Sequence, residues 1–132
     1  MRMEHEIRVA APPEAVRAWW IDVPKEWIVG RDGDALLLET TFGGLKMRER
    51  LVALPGNRWR FDTTAPMGID VTDEFEARPA PGGGTIVRIV LVMRGRNLLG
   101  RLALPFYWPV AKRQFRRRWE EAARLCEREA SG

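Results

Sequence analysis

Apolar and polar residues alternate strictly at the start of the chain. His5, Ile7 and Val9 fall on one side of residues 4–10, and Glu4, Glu6 and Arg8 on the other. That period of two marks a strand with one buried face. Ala11-Pro12-Pro13-Glu14 then opens a short helix, because proline is tolerated in a first turn and an acid suits the positive helix end. Ala15, Val16, Ala18, Trp19 and Trp20 supply its apolar side, and Pro24 is expected to stop it. Beyond Trp27, Gly30 to Asp34 reads as a polar turn. Strands follow at about 35–42, 44–54, 57–64, 68–78 and 84–94. Gly43-Gly44, Pro55-Gly56-Asn57, Pro66-Met67-Gly68 and the stretch Pro79 to Gly84 separate them.

Turns this short force antiparallel neighbours, since a parallel connection needs a crossover of a dozen or more residues. Six strands therefore form one antiparallel sheet. Its inward face is predicted to carry Leu36, Leu38, Thr40 and Phe42, then Leu45, Met47, Glu49 and Leu51, then Trp59, Phe61 and Thr63. Ile69, Val71, Asp73 and Phe75 follow, and Val87, Ile89, Leu91 and Met93 complete it. The opposite face holds Arg48, Arg50, Arg58, Arg60, Asp62, Glu74, Glu76 and Arg88, which suits cross-strand ion pairs. After the strands comes an apolar segment with Leu98, Leu99, Leu102, Leu104 and Phe106, expected to break at Pro105 and Pro109. A strongly helical run spans about Val110 to Glu129. Phe115, Trp119, Ala122 and Cys126 form its apolar stripe, and Arg113, Arg117, Arg124 and Arg128 lie on the far side.

With 132 residues and 45% hydrophobic content, the chain suits a single domain, 1–132, with one core. No run approaches the roughly 20 apolar residues of a membrane span, and the opening residues lack the apolar block of a signal peptide, so a cytoplasmic location is expected. One cysteine, Cys126, and one histidine, His5, leave no disulfide and no zinc site of the usual kind. The net charge of +4 is uneven: from Arg94 onward ten Arg or Lys stand against four Glu. A solvated helix face accounts for most of that, so no specific nucleic-acid partner is expected, while weak contact with an anionic membrane stays open. Gly82-Gly83-Gly84 lacks the lysine and following helix of a phosphate loop and reads as a hairpin turn.

The order of strand, short Pro-led helix, five strands and long helix resembles the helix-grip fold of the START-like (SRPBCC) superfamily. Three stretches carry the resemblance: His5 to Trp20 (HEIRVAAPPEAVRAWW), Phe75 to Gly95 (FEARPAPGGGTIVRIVLVMRG) and Leu98 to Arg118 (LLGRLALPFYWPVAKRQFRRR). It looks most like the bacterial polyketide cyclase/dehydrase branch. The resemblance implies an α+β fold with a curved sheet wrapped around the C-terminal helix. It also implies a cavity between them that relatives use for lipids, hormones, polyketides or other hydrophobic compounds. No aromatase catalytic set maps onto this sequence residue by residue.

Glu49 and Asp73 interrupt otherwise apolar inward phases, where an ionised carboxylate is costly unless paired or wet. Either they line a polar spot in the cavity, as weak candidates for acid–base catalysis or ligand hydrogen bonding, or they sit at strand ends or bulges facing solvent. Met47, Trp59, Phe61, Phe75, Leu91 and Met93 are candidates for the sheet wall of the cavity, and Leu102, Trp108 and Phe115 for its helical wall. Trp27 and Trp108 are placed near its mouth. His5 is expected at a wet strand end, and Cys126 in inert core. Three functions fit: a carrier for a small lipid-, polyketide- or quinone-like molecule, a small cyclase or dehydratase, and a membrane-surface accessory protein using Leu98 to Val110. No cofactor or metal is called for, and the chain is expected as a monomer or homodimer.

Overall fold

The computed structural model describes the backbone of residues 1–20, 22, 25–42 and 45–131, and the side chains of these residues except 41, 42, 45 and 66. The helix stop at Pro24, the turn at Gly43-Gly44 and the inward placement of Phe42 and Leu45 lie outside the described residues. The elements are β1 (Arg2–Val9), α1 (Pro13–Trp20), β2 (Ile28–Asp32), β3 (Ala35–Phe42), β4 (Leu45–Leu54), β5 (Arg58–Ala65), β6 (Ile69–Pro79), β7 (Thr85–Gly95) and α2 (Leu98–Ser131). Single 3₁₀ turns at Lys25–Trp27 and Pro66–Gly68 precede β2 and β6.

The strands form one antiparallel sheet in the order β1-β7-β6-β5-β4-β3-β2. The sheet has seven strands, one more than the alternation indicates. The additional strand is β2, which pairs with β3 from Asp32↔Ala35 to Ile28↔Leu38 through the two-residue turn Gly33-Asp34. Gly33 adopts φ +60°, the conformation such a turn requires. β2 escapes a hydrophobic reading because it is a short edge strand, IVGRD, whose residues are exposed or only half-buried.

The second departure is α2, a continuous helix of 34 residues that runs through Pro105 and Pro109 instead of breaking there. Each proline removes one backbone hydrogen bond, to the carbonyls of Arg101 and Pro105. Arg101, Pro105 and Pro109 are all exposed, so water can serve those carbonyls, while Leu104 and Ala111 hold the same turns against the core. Asn97 caps the helix: its Oδ1 accepts the Gly100 N–H at 2.9 Å. Gly100 is obligatory, because a Cβ there would collide with the Gly68 carbonyl oxygen. This junction fixes where α2 leaves β7.

α2 crosses β7, β1 and the near side of β6, and α1 packs against it. Thr85 Oγ1, fully buried, donates to the Ala11 carbonyl at 2.7 Å, and Glu127 Oε1 accepts the Ala10 N–H at 3.1 Å. These bonds tie the start of α1 to β7 and to the far end of α2. Val16 is the buried residue of α1, with Ala15 and Trp20 packed beside it. Ala18 and Trp19 are exposed rather than inward; the Trp19 indole instead reaches out to donate to Glu129 Oε2 at 2.8 Å. The outer sheet face carries the expected charges in pairs such as Arg58–Glu74, Arg60–Asp62 and Arg88–Glu4.

Candidate functional site

The inner sheet face follows the alternation, which puts Glu49, Thr63 and Asp73 among apolar neighbours. Glu49 on β4 is the Cα partner of Leu38 on one side and of Thr63 on the other. Asp73 on β6 is flanked by Phe61 on β5 and Leu91 on β7. Both carboxylates therefore occupy mid-strand positions on the inward face, away from any strand end.

The two acids are treated differently by their surroundings. Thr63 Oγ1 donates to Glu49 Oε1 at 3.4 Å. Asp73 Oδ1 is sealed from solvent and accepts no hydrogen bond among the described residues, although the residue as a whole is half-buried. Burial, with the Glu49 charge adding to it, pushes the Asp73 carboxyl up to about 7, and Arg118 on α2 partly opposes the rise. Burial also raises Glu49, against the Thr63 hydrogen bond and the attraction of Arg118. The two carboxyls interact, so their titrations are coupled.

Arg118 is the member of this group that the sequence pattern did not single out, although the pattern contains the clue. At about 100° per residue it lies roughly 40° from Ala122 and 60° from Phe115, at the edge of the apolar stripe rather than opposite it. Its guanidinium supplies the positive charge facing both acids.

An aromatic cluster adjoins the acids. Phe61 and Phe75 meet edge to face at 5.8 Å, Phe75 and Trp119 at 6.5 Å, and Phe115 tilts over Trp119 at 5.8 Å. His5 also stacks on Trp119, at 6.1 Å, and is half-buried, so it is packed rather than wet. Met47, Phe61 and Phe115 are half-buried; Phe61 is the Cα partner of Asp73, and Met47 shares the inward phase of β4 with Glu49. Trp59 and Phe75 instead line a void of about 10 Å³ under α1, shared with Val16, Arg17, Trp20, Ala77 and Val87, at most room for one water. Leu91 and Met93 are closed off beneath α2. Trp108 is half-buried with Lys112 Nζ 5.8 Å above its ring. Trp27 and Leu102 stand in solvent, the latter because it lies on the outward side of α2. A larger open hollow of about 360 Å³, lined by Glu39, Lys46, Arg48, Thr64 and Ala65, lies mainly on the outward side of β3–β5, apart from the acids.

Among the described residues no group of three His, Cys, Asp or Glu could hold a metal ion. No helix among the described residues is long and apolar enough to cross a membrane. Cys126 is fully buried in α2, and burial pushes its thiol up.

No protein-family model matches this sequence, and no curated protein does. Solved structures do match in shape. The Zhui aromatase/cyclase from Streptomyces superposes with a TM-score of 0.68 at 17% identity, covering 97% of this chain and 94% of its own. The di-domain ARO/CYC BexL from the BE-7585A biosynthetic pathway gives 0.66 at 14% identity over 100% of this chain and 50% of BexL, so this chain spans half of that protein. Norcoclaurine synthase from Thalictrum flavum, in complex with dopamine and hydroxybenzaldehyde, gives 0.59 at 13% identity over 95% and 85%. The protein shares the helix-grip fold of these structures, a curved antiparallel sheet with a long C-terminal helix.

Proposed function

We propose that residues 1–132 act as one domain that binds a small, largely apolar molecule between α2 and the inner face of β3–β6, with a hydroxyl or carbonyl of that molecule directed at Glu49 and Asp73. The observation that carries this reading is Asp73 Oδ1, sealed from water without a hydrogen-bond donor, in a half-open apolar setting. A group left in that state costs on the order of 1–3 kcal/mol, and a donor on a bound molecule offsets the cost. Phe61, the Cα partner of Asp73 and half-buried, provides a flat apolar wall beside it. Aromatase/cyclases and a synthase holding phenolic compounds share the fold, which supports an aromatic or polyketide-like ligand class.

Native mass spectrometry of the purified protein, followed by organic extraction, tests the reading directly. A defined hydrophobic adduct is expected. With 1,8-dihydroxyanthraquinone as probe, tryptophan fluorescence should be quenched on titration, and Phe61→Ala or Asp73→Asn should weaken binding by about tenfold. No adduct and no quenching would overturn it.

A second reading is favoured by the Asp73 carboxyl titrating at about 7. A group poised there can both give and take a proton at neutral pH, as a cyclase or dehydratase acting on a polyketide-like carbonyl requires. In that case Asp73→Asn or Glu49→Gln removes turnover while the molecule still binds. A carrier instead shows no turnover to lose.

A further inference from the structure

The first half of α2 exposes apolar side chains that its packing does not use. Leu98, Leu102, Phe106 and Val110 are spaced by four and project outward, with Leu99 beside them; Phe106 is 84% exposed and Leu98 72%. The same turns bury Gly100, Leu104 and Ala111 on the sheet side, so the outward stripe contributes little to the core. Met67, also exposed, sits on the 3₁₀ turn that packs against this end of the helix.

Charge defines what fits this face. No Asp or Glu occurs between Glu76 and Glu120. Arg101 flanks the stripe, and on the same outward side, one to two turns further on, the surface changes from apolar to cationic at Arg113 and Arg117, both exposed. Arg96, paired with Asp70, stands nearby. A second copy of the chain would bring no acid from the same segment to meet these arginines. An anionic lipid surface offers both an apolar layer and phosphates.

We propose that the outward face of α2 from Leu98 to Arg117 docks on an anionic bilayer surface. The helix lies in the plane of the interface, Leu102 and Phe106 enter the boundary between headgroups and acyl chains, and Arg113 and Arg117 meet lipid phosphates. This face is on the opposite side of α2 from Leu104 and Ala111, and the proposal stands without the carboxylate site.

Flotation with vesicles of equal parts phosphatidylcholine and phosphatidylglycerol, against phosphatidylcholine alone, tests it. The full chain should float with the anionic vesicles at low salt, should largely ignore the neutral ones, and should be released in part as salt screens the charges. Leu102→Glu with Phe106→Glu should reduce capture by about tenfold or more while the far-ultraviolet circular dichroism and Tm stay unchanged, since both positions are exposed. Arg113→Glu with Arg117→Glu should reduce it comparably. Absence of capture by anionic vesicles, or equal capture of either double variant, overturns the proposal. So does a dimer in analytical ultracentrifugation that Phe106→Glu dissolves, because the face then belongs to a second copy.

Discussion

The two halves of the sheet carry the same alternating pattern and meet different fates. On β7, Val87, Ile89, Leu91 and Met93 are no more than 2% exposed, closed beneath α2. On β3–β5 the inward residues are mixed: Leu38, Leu51 and Trp59 are buried, but Leu36, Thr40, Met47 and Phe61 are only half-buried, because the helix packs mainly on β7, β1 and β6. Thr63, Glu49 and Asp73 lie at the boundary between the covered and uncovered halves. Apolar alternation therefore specifies which side of a strand faces inward. It does not specify whether anything covers that side.

Energetics should separate the two halves most sharply. Leu91→Ala leaves a cavity in a closed region and should cost about 3–4 kcal/mol in urea unfolding, whereas Phe61→Ala, on the open side, should cost under about 2. Equal costs would erase the distinction and mean that the inner face is packed alike throughout.

Asp73 sharpens the boundary itself. Its folded-state carboxyl is raised from the ordinary 3.8 to about 7, so between these values the folded protein holds a proton that the unfolded chain has released. The protonated form supports the fold fully below about pH 4, and that support declines as pH rises to about 7 and stays lost above it. Asp73→Asn should therefore raise stability at pH 8 by on the order of 2–4 kcal/mol and leave it nearly unchanged at pH 4. Urea midpoints of both proteins across that range provide the check. A constant difference at all pH values would place Asp73 in water, outside the boundary.

The smallest effect belongs to the outer face, which neither half distinguishes. Arg88→Ala removes an exposed pair with Glu4 and should change stability by less than about 0.5 kcal/mol. A larger loss would mean that the outer ladder contributes to holding β1 on β7.

Several features could be read from residue order alone, for reasons that are local. A side chain's face on a strand depends only on parity, so the inward positions of Leu38, Leu51, Trp59, Phe75 and Ile89 follow from the sequence, as does that of Asp73. The run Gly82-Gly83-Gly84 reads as a turn because its residues need positive φ, and they adopt +82°, +106° and +82°. Features set by competition between distant elements were harder to read. Proline predicts a break at 105 and 109, yet packing of Leu104 and Ala111 outweighs two hydrogen bonds whose carbonyls can turn to water. β2 has little apolar signal of its own, and the Gly33-Asp34 pair was the clue to its hairpin.

By itself the sequence determined the α+β class, the direction of the described inward side chains on the strands and the presence of two acids on an apolar face, because these rest on local geometry. Only the tertiary structure decided that α2 covers one half of the sheet. Through that placement it decided that Asp73 Oδ1 is sealed, that Arg118 faces both acids and that the Leu98 to Val110 stripe is left outside. Those outcomes depend on where one long helix comes to rest, which is set by the Asn97–Gly100 junction and by contacts among residues far apart in the chain.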